Sequence, residues 1–118
     1  MDLMKGKKGL IMGVANERSI AWGISQKLAN AGAELAFTYL GEALKKRVIP
    51  LAEKLNSKTT FSCDVEKKDE VSKLFEDIKS KWDQIDFVVH AVAFSDKSEL
   101  SGEYLNTTRE NFLRSMLI

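Results

Sequence analysis

Short apolar runs alternate with longer amphipathic stretches along this chain, and the regularity of that alternation restricts the fold more than any other feature of the sequence. Residues 9–12 read as a first buried strand. After Gly13 comes a helix over residues 20–31, with Ile20, Ile24, Leu28 and Ala31 on one face and Gly32 as its stop. Residues 35–39 form a second strand and residues 42–55 a second helix, striped by Leu44, Val48, Leu51 and Leu55. Pro50 lacks an N–H and crowds the preceding turn, so that helix is expected to kink or restart there. Residues 59–63 form a third strand, Val71, Leu74, Phe75, Ile78 and Trp82 mark a third helix, and residues 85–89 a fourth strand. A polar loop over residues 95–106 and an amphipathic helix from Thr107 onward follow.

Strands separated by helices of this length run parallel and cross over right-handedly. The pattern therefore predicts the α/β class: a Rossmann-type, doubly wound parallel sheet with helices on both faces and ligands at the carboxyl ends of its strands. With 118 residues, no internal repeat and no linker, the whole chain, 1–118, reads as part of one domain. Four strands leave the edge of the fourth and much apolar surface uncovered, so the expectation is an N-terminal piece of a longer subunit, its sheet truncated after the fourth strand. Such a piece should be poorly stable alone.

Charge and cysteine usage narrow the function classes. Eighteen basic against 17 acidic residues give a net charge of +1, which offers no general attraction to nucleic acid or an anionic membrane. No apolar run approaches the ~18 residues of a membrane span. Cys63 is the only cysteine and His90 the only histidine, so neither an intramolecular disulfide nor a zinc site of known spacing can form, and a reducing, cytoplasmic setting is expected.

The first strand leads into a long turn with Gly13 at one end and Gly23 at the other, opening a helix at Ser19 and Ile20. A pyrophosphate needs unhindered backbone at such a strand end and free N–H groups at a helix start, which Gly13, Ser19 and Ile20 can supply. Gly23 would let the helix lie close against the sheet. The spacing is not G-x-G-x-x-G, and Ser19 as a plain N-cap and Gly13 as a plain turn residue remain alternatives. Leu40 follows the second strand where the adenosine ribose would lie; Glu42 reads as a first-turn helix carboxylate, and Lys45, Lys46 and Arg47 as a solvated face. Asp64 and Val65 follow the third strand, where a carboxylate and a backbone N–H can recognise adenine, or where an aspartate simply shapes a loop. Small residues after the fourth strand, Ala91 to Ala93, would admit the nicotinamide ribose. His90 reads as a structural hydrogen-bonding residue and Cys63 as a small core residue. Tyr39 and Lys46 stand in a Tyr-x6-Lys spacing, but at the adenosine side, away from any hydride transfer.

Taken together, the stretched loop from Gly13 to Gly23 with Ser19-Ile20-Ala21, the segment Ala33-Glu34-Leu35-Ala36-Phe37-Thr38-Tyr39, the tripeptide Cys63-Asp64-Val65 and the segment Val89-His90-Ala91-Val92-Ala93-Phe94 resemble the NADH-dependent bacterial enoyl-acyl-carrier-protein reductases. These are a divergent branch of the short-chain dehydrogenase/reductases, whose ordinary members show a compact T-G-x-x-x-G-x-G loop and an N-A-G after the fourth strand. The resemblance spans the whole chain. It implies that Gly13, Ser19 and Ile20 hold the pyrophosphate, Leu40 borders the adenosine ribose, Asp64 and Val65 hold adenine, Ala91 and Val92 approach the nicotinamide, and Ser95 lines the acyl pocket. Leu40 departs from a polar ribose-contacting residue, and Ala93 from a glycine.

The reaction implied is hydride transfer from NADH, ahead of NADPH, to the double bond of a 2-enoyl thioester on acyl carrier protein, in fatty acid biosynthesis, by a homotetramer. A tyrosine and a lysine would stabilise the enolate and hold the nicotinamide ribose. No equivalent pair is present up to Ile118, so no catalytic residue is assigned in the chain, which alone is expected to be inactive. A non-catalytic dinucleotide-binding module, and a short-chain reductase for another substrate, are the competing readings.

Overall fold

A computed structural model describes residues 2–92, 108–110 and 113. Within them the chain runs β1 (Lys8–Met12), α1 (Ile20–Asn30), β2 (Glu34–Tyr39), α2 (Glu42–Lys54), β3 (Thr60–Ser62), α3 (Lys68–Lys81) and β4 (Phe87–His90). The four strands form one parallel sheet in the order β3-β2-β1-β4. The expected loop over 95–106 lies outside the described residues, as does most of the helix expected from Thr107; Arg109, Glu110 and Leu113 are helical. Among the described residues no helix is long and apolar enough to cross a membrane.

The sheet is covered on both sides, as a doubly wound fold requires, because alternate strand residues point to opposite faces. Ile11, Leu35 and Phe37 pack with Ala21 and Trp22 of α1 and Val48, Leu51 and Ala52 of α2. Leu10, Met12 and Ala36 face the other way, against Leu74 and Ile78 of α3, with Trp82 beyond its end. The turn between α2 and β3 is pinned by buried Ser57, whose hydroxyl donates to the Leu35 carbonyl at 2.6 Å and accepts from the Thr59 N–H at 3.3 Å.

Three local expectations are corrected. The buried face of α1 is Ala21, Trp22 and Ser25, while Ile20 is 79% exposed and Ile24 37% exposed. Ser25 is tolerated there because its hydroxyl donates to the Ala21 carbonyl at 2.7 Å, leaving no unsatisfied buried donor. Gly23 does not serve close packing: it lies on the exposed side, where a Cβ would meet nothing within 4 Å. Nor does Pro50 divide α2, which runs unbroken from Glu42 to Lys54. Pro50 and Lys46, the residue whose carbonyl it leaves without a donor, are both exposed, so water can take that carbonyl while Val48, Leu51 and Ala52 hold the two halves on the sheet. Gly32 does end α1, at φ +99° just past the Ala31 C-cap.

Candidate functional site

The strand order reverses at β1, because β2 lies on one side of it and β4 on the other. At a reversal of this kind the connections leave in opposite directions and open a crevice at the carboxyl ends of the strands. A cavity of about 120 Å³ occupies that place. Its walls are Gly13, Val14 and Ala15 leaving β1, Thr38, Tyr39 and Leu40 at the end of β2, Leu44 on α2, Cys63 and Val65 after β3, and Val92 after β4. All four strand ends thus contribute to one crevice.

Gly13 sets its floor. The residue has φ +112°, in the region that favours glycine, and a Cβ there would stand 2.6 Å from the carbonyl carbon of Ala91 and closer still to its oxygen. The β4 exit is in turn fastened to β1, since the Ala91 N–H donates to the Met12 carbonyl at 2.9 Å. The turn beyond Gly13 is braced by itself: the Asn16 side chain accepts from the Arg18 N–H at 2.8 Å, and the Ser19 hydroxyl donates to the Asn16 carbonyl at 2.8 Å. Ser19 also caps α1, accepting from the Trp22 N–H at 3.3 Å. The Trp22 and Gly23 N–H groups donate to Ser19, which leaves those of Ile20 and Ala21 at the start of α1 as the donors that the helix can offer to an anion.

Of the residues singled out in the sequence, Gly13, Leu40, Val65 and Val92 line the crevice itself. Ser19 and Ile20 stand at the start of α1, and Ala91 presses its carbonyl against Gly13. Asp64 lies next to Val65; its carboxylate accepts from the Glu66 N–H at 3.0 Å and its N–H donates to the Glu70 carboxylate at 3.0 Å, so it also shapes the loop. Ser95 lies outside the described residues. Sequence reasoning missed Thr38 and Leu44, and it read Cys63 only as core, whereas Cys63 is both core and crevice wall. His90 is exposed at the end of β4.

Burial pushes the Cys63 thiol above its ordinary value of 9.0, and the Glu70 and Asp64 carboxylates push in the same direction. A thiol held protonated in the fold contributes stability that is present below the unfolded thiol's value and is lost as pH rises through the raised one. Native Cys63, 5% exposed, should accordingly react with a disulfide reagent at least ~10-fold more slowly than in urea. Equal labelling rates in the two states would contradict this burial.

The profile of the Enoyl-(Acyl carrier protein) reductase family matches residues 13–118, from the glycine turn onward. The chain belongs to that family. It is 60% identical over 116 residues to enoyl-[acyl-carrier-protein] reductase [NADH] 2 of Rhizobium meliloti (strain 1021), covering 98% of the chain and 43% of the relative. It is 50% identical to the corresponding NADH reductase, FabI, of Rickettsia typhi (strain ATCC VR-144 / Wilmington), covering 98% of the chain and 44% of that protein. Among solved structures, FabI from Candidatus Liberibacter asiaticus superposes with a TM-score of 0.95 at 54% identity, over 99% of the chain and 45% of its own. The reductase from Anaplasma phagocytophilum, solved in complex with NAD, gives 0.91 at 55% identity, over 98% of the chain and 44% of its own. The chain therefore spans less than half the length of these family members.

Proposed function

We propose that this chain is the dinucleotide-binding N-terminal part of an NADH-dependent enoyl-acyl-carrier-protein reductase, acting on 2-enoyl thioesters in fatty acid biosynthesis. The observation that carries the reading is the crevice shared by all four strand ends at the reversal of strand order. Three features suit a dinucleotide: backbone stripped of side chains at Gly13, N–H donors at the start of α1, and apolar crevice walls at Leu40, Val65 and Val92 for flat rings. In this reading Gly13, Ser19 and Ile20 hold the pyrophosphate, Leu40 flanks the adenosine ribose, Asp64 and Val65 hold adenine, and Ala91 and Val92 border the nicotinamide. Ser95 borders the acyl pocket. When bound, the cofactor supplies the hydride that reduces the carbon-carbon double bond.

The chain's own share of the work is to bind and to orient. Gly13 and Ala91 fix the distance between the β1 and β4 exits, so the two halves of a dinucleotide lie in a set relation. Tyr39, whose spacing to Lys46 mimics a catalytic pair, ends β2 among the residues of the adenosine side, so the chain's described residues carry binding and leave enolate chemistry to groups elsewhere in the subunit. A homotetramer in the cytoplasm, with acyl carrier protein as the donor of substrate, completes the proposal.

The test is made on the protein expressed from its whole reading frame, with NADH binding followed by fluorescence and turnover by NADH oxidation with a crotonyl thioester. Saturable NADH binding together with thioester-dependent oxidation is expected. Binding without oxidation would favour a non-catalytic nucleotide-binding module, and absence of binding would remove the whole reading.

A further inference from the structure

Thr38 stands out on the crevice wall. The face of β2 that it shares with Ala36 looks toward α3 and is otherwise apolar, with Met12 opposite Thr38 on β1 and Phe61 opposite it on β3. Thr38 is only 5% exposed, yet among the described residues its hydroxyl has no hydrogen-bond partner, unlike the other two buried polar residues, Ser25 and Ser57. Buried hydroxyls are normally paired, because an unmet one forfeits its hydration with nothing in return. Valine would fill the same space without that loss. Thr38 lines the crevice together with Cys63, Val65 and Leu40.

We propose that Thr38 is a further nucleotide-binding residue, whose unpaired hydroxyl hydrogen-bonds the adenosine half of the dinucleotide. The inference rests on the dinucleotide reading given above. The adenosine half is singled out by topology. β2 and β3 lie on one side of β1 and β4 on the other, and in folds of this kind the end of the second strand meets the adenosine ribose. A hydroxyl can both donate and accept, which suits either a ribose hydroxyl or an adenine ring nitrogen.

Deleting the hydroxyl separates this role from a structural one, because the two predict opposite signs. In Thr38→Val, affinity for AMP and for NADH should fall roughly 3- to 10-fold, the worth of one neutral hydrogen bond, with affinity for nicotinamide mononucleotide unchanged. The melting temperature of the nucleotide-free variant should stay level or rise, since a methyl group replaces an unpaired polar atom. Thr38→Ser, which keeps the oxygen, should restore AMP affinity to within about twofold of the parent. All of this is measured by calorimetric titration and thermal unfolding of the protein from its whole reading frame. Equal AMP affinity of T38V and the parent overturns the proposal, and so does a loss that T38S leaves unrestored or one that nicotinamide mononucleotide shares. In those cases parental NADH binding stands and only Thr38 is at fault; a parent that binds neither AMP nor NADH overturns both readings together.

Discussion

Gly13→Ala should nearly abolish NADH binding and destabilise the fold, while Gly23→Ala, one turn into α1, should do neither. At Gly13 two independent costs coincide. The φ of +112° is one that L side chains rarely adopt, which costs on the order of 1–3 kcal/mol. The added Cβ would also overlap the Ala91 carbonyl, and that is backbone tied to β1 through the Met12 carbonyl, so it cannot swing aside as a side-chain tip would. Relief requires the β1 and β4 exits to part, at the place where the pyrophosphate donors are aligned. If the turn gives up even two hydrogen bonds to a charged group, each worth about 1.5–3 kcal/mol, affinity falls by more than roughly 100-fold. At Gly23 the Cβ enters open space on an ordinary helix, so alanine should stabilise by about 0.5–1 kcal/mol. Calorimetric titration with NADH and urea unfolding of both variants check the pair; near-parental NADH affinity in G13A would show that the glycine turn is not the phosphate cradle.

The contrast between these two glycines also shows what the sequence could and could not tell. Strands and helices were legible because a parallel sheet covered on both faces forces continuous apolar runs at β1 and β2 and amphipathic stripes between them. In such a sheet ligands sit at the carboxyl ends of the strands, which is why Gly13, Leu40, Val65 and Val92, all of which line the crevice, can be singled out from the sequence; the order of the strands cannot. The orientation of α1 was not legible. Counting large apolar residues favours Ile20 and Ile24, whereas the helix docks through Ala21 and Ser25, small residues that bring it close enough for Trp22 to bury. Ser25 can sit there only because its hydroxyl bonds within its own helix, a contact no hydropathy pattern records. Thr38 escaped for a related reason. Threonine is a favoured strand residue, so its presence in β2 reads as propensity until its burial and lack of a partner are known.

Phe37→Ala is expected to have the largest effect on stability. Phe37 is 1% exposed in the inner strand β2, level with Ile11 on β1 and Thr60 on β3, and its side chain packs in the cluster formed with Val48 and Leu51 of α2 and Trp22 of α1. Its neighbours are held by the sheet on one side and by two helices on the other, so they cannot collapse into the space, and the cost should reach about 3–5 kcal/mol. A domain stable by only 5–15 kcal/mol would lose much of its margin, which urea unfolding followed by circular dichroism reads directly. The side chain points away from the face that carries Thr38, toward α1 and α2 rather than α3. The crevice wall should therefore survive the substitution even though the core does not. In that case saturating NADH adds the same increment to F37A as to the parent, about 2.7 kcal/mol at a concentration of 100 times Kd, because ligand stabilisation depends only on affinity for the folded state. An increment clearly smaller in F37A would mean that the two faces of β2 are not independent and that packing under α1 and α2 helps shape the nucleotide site.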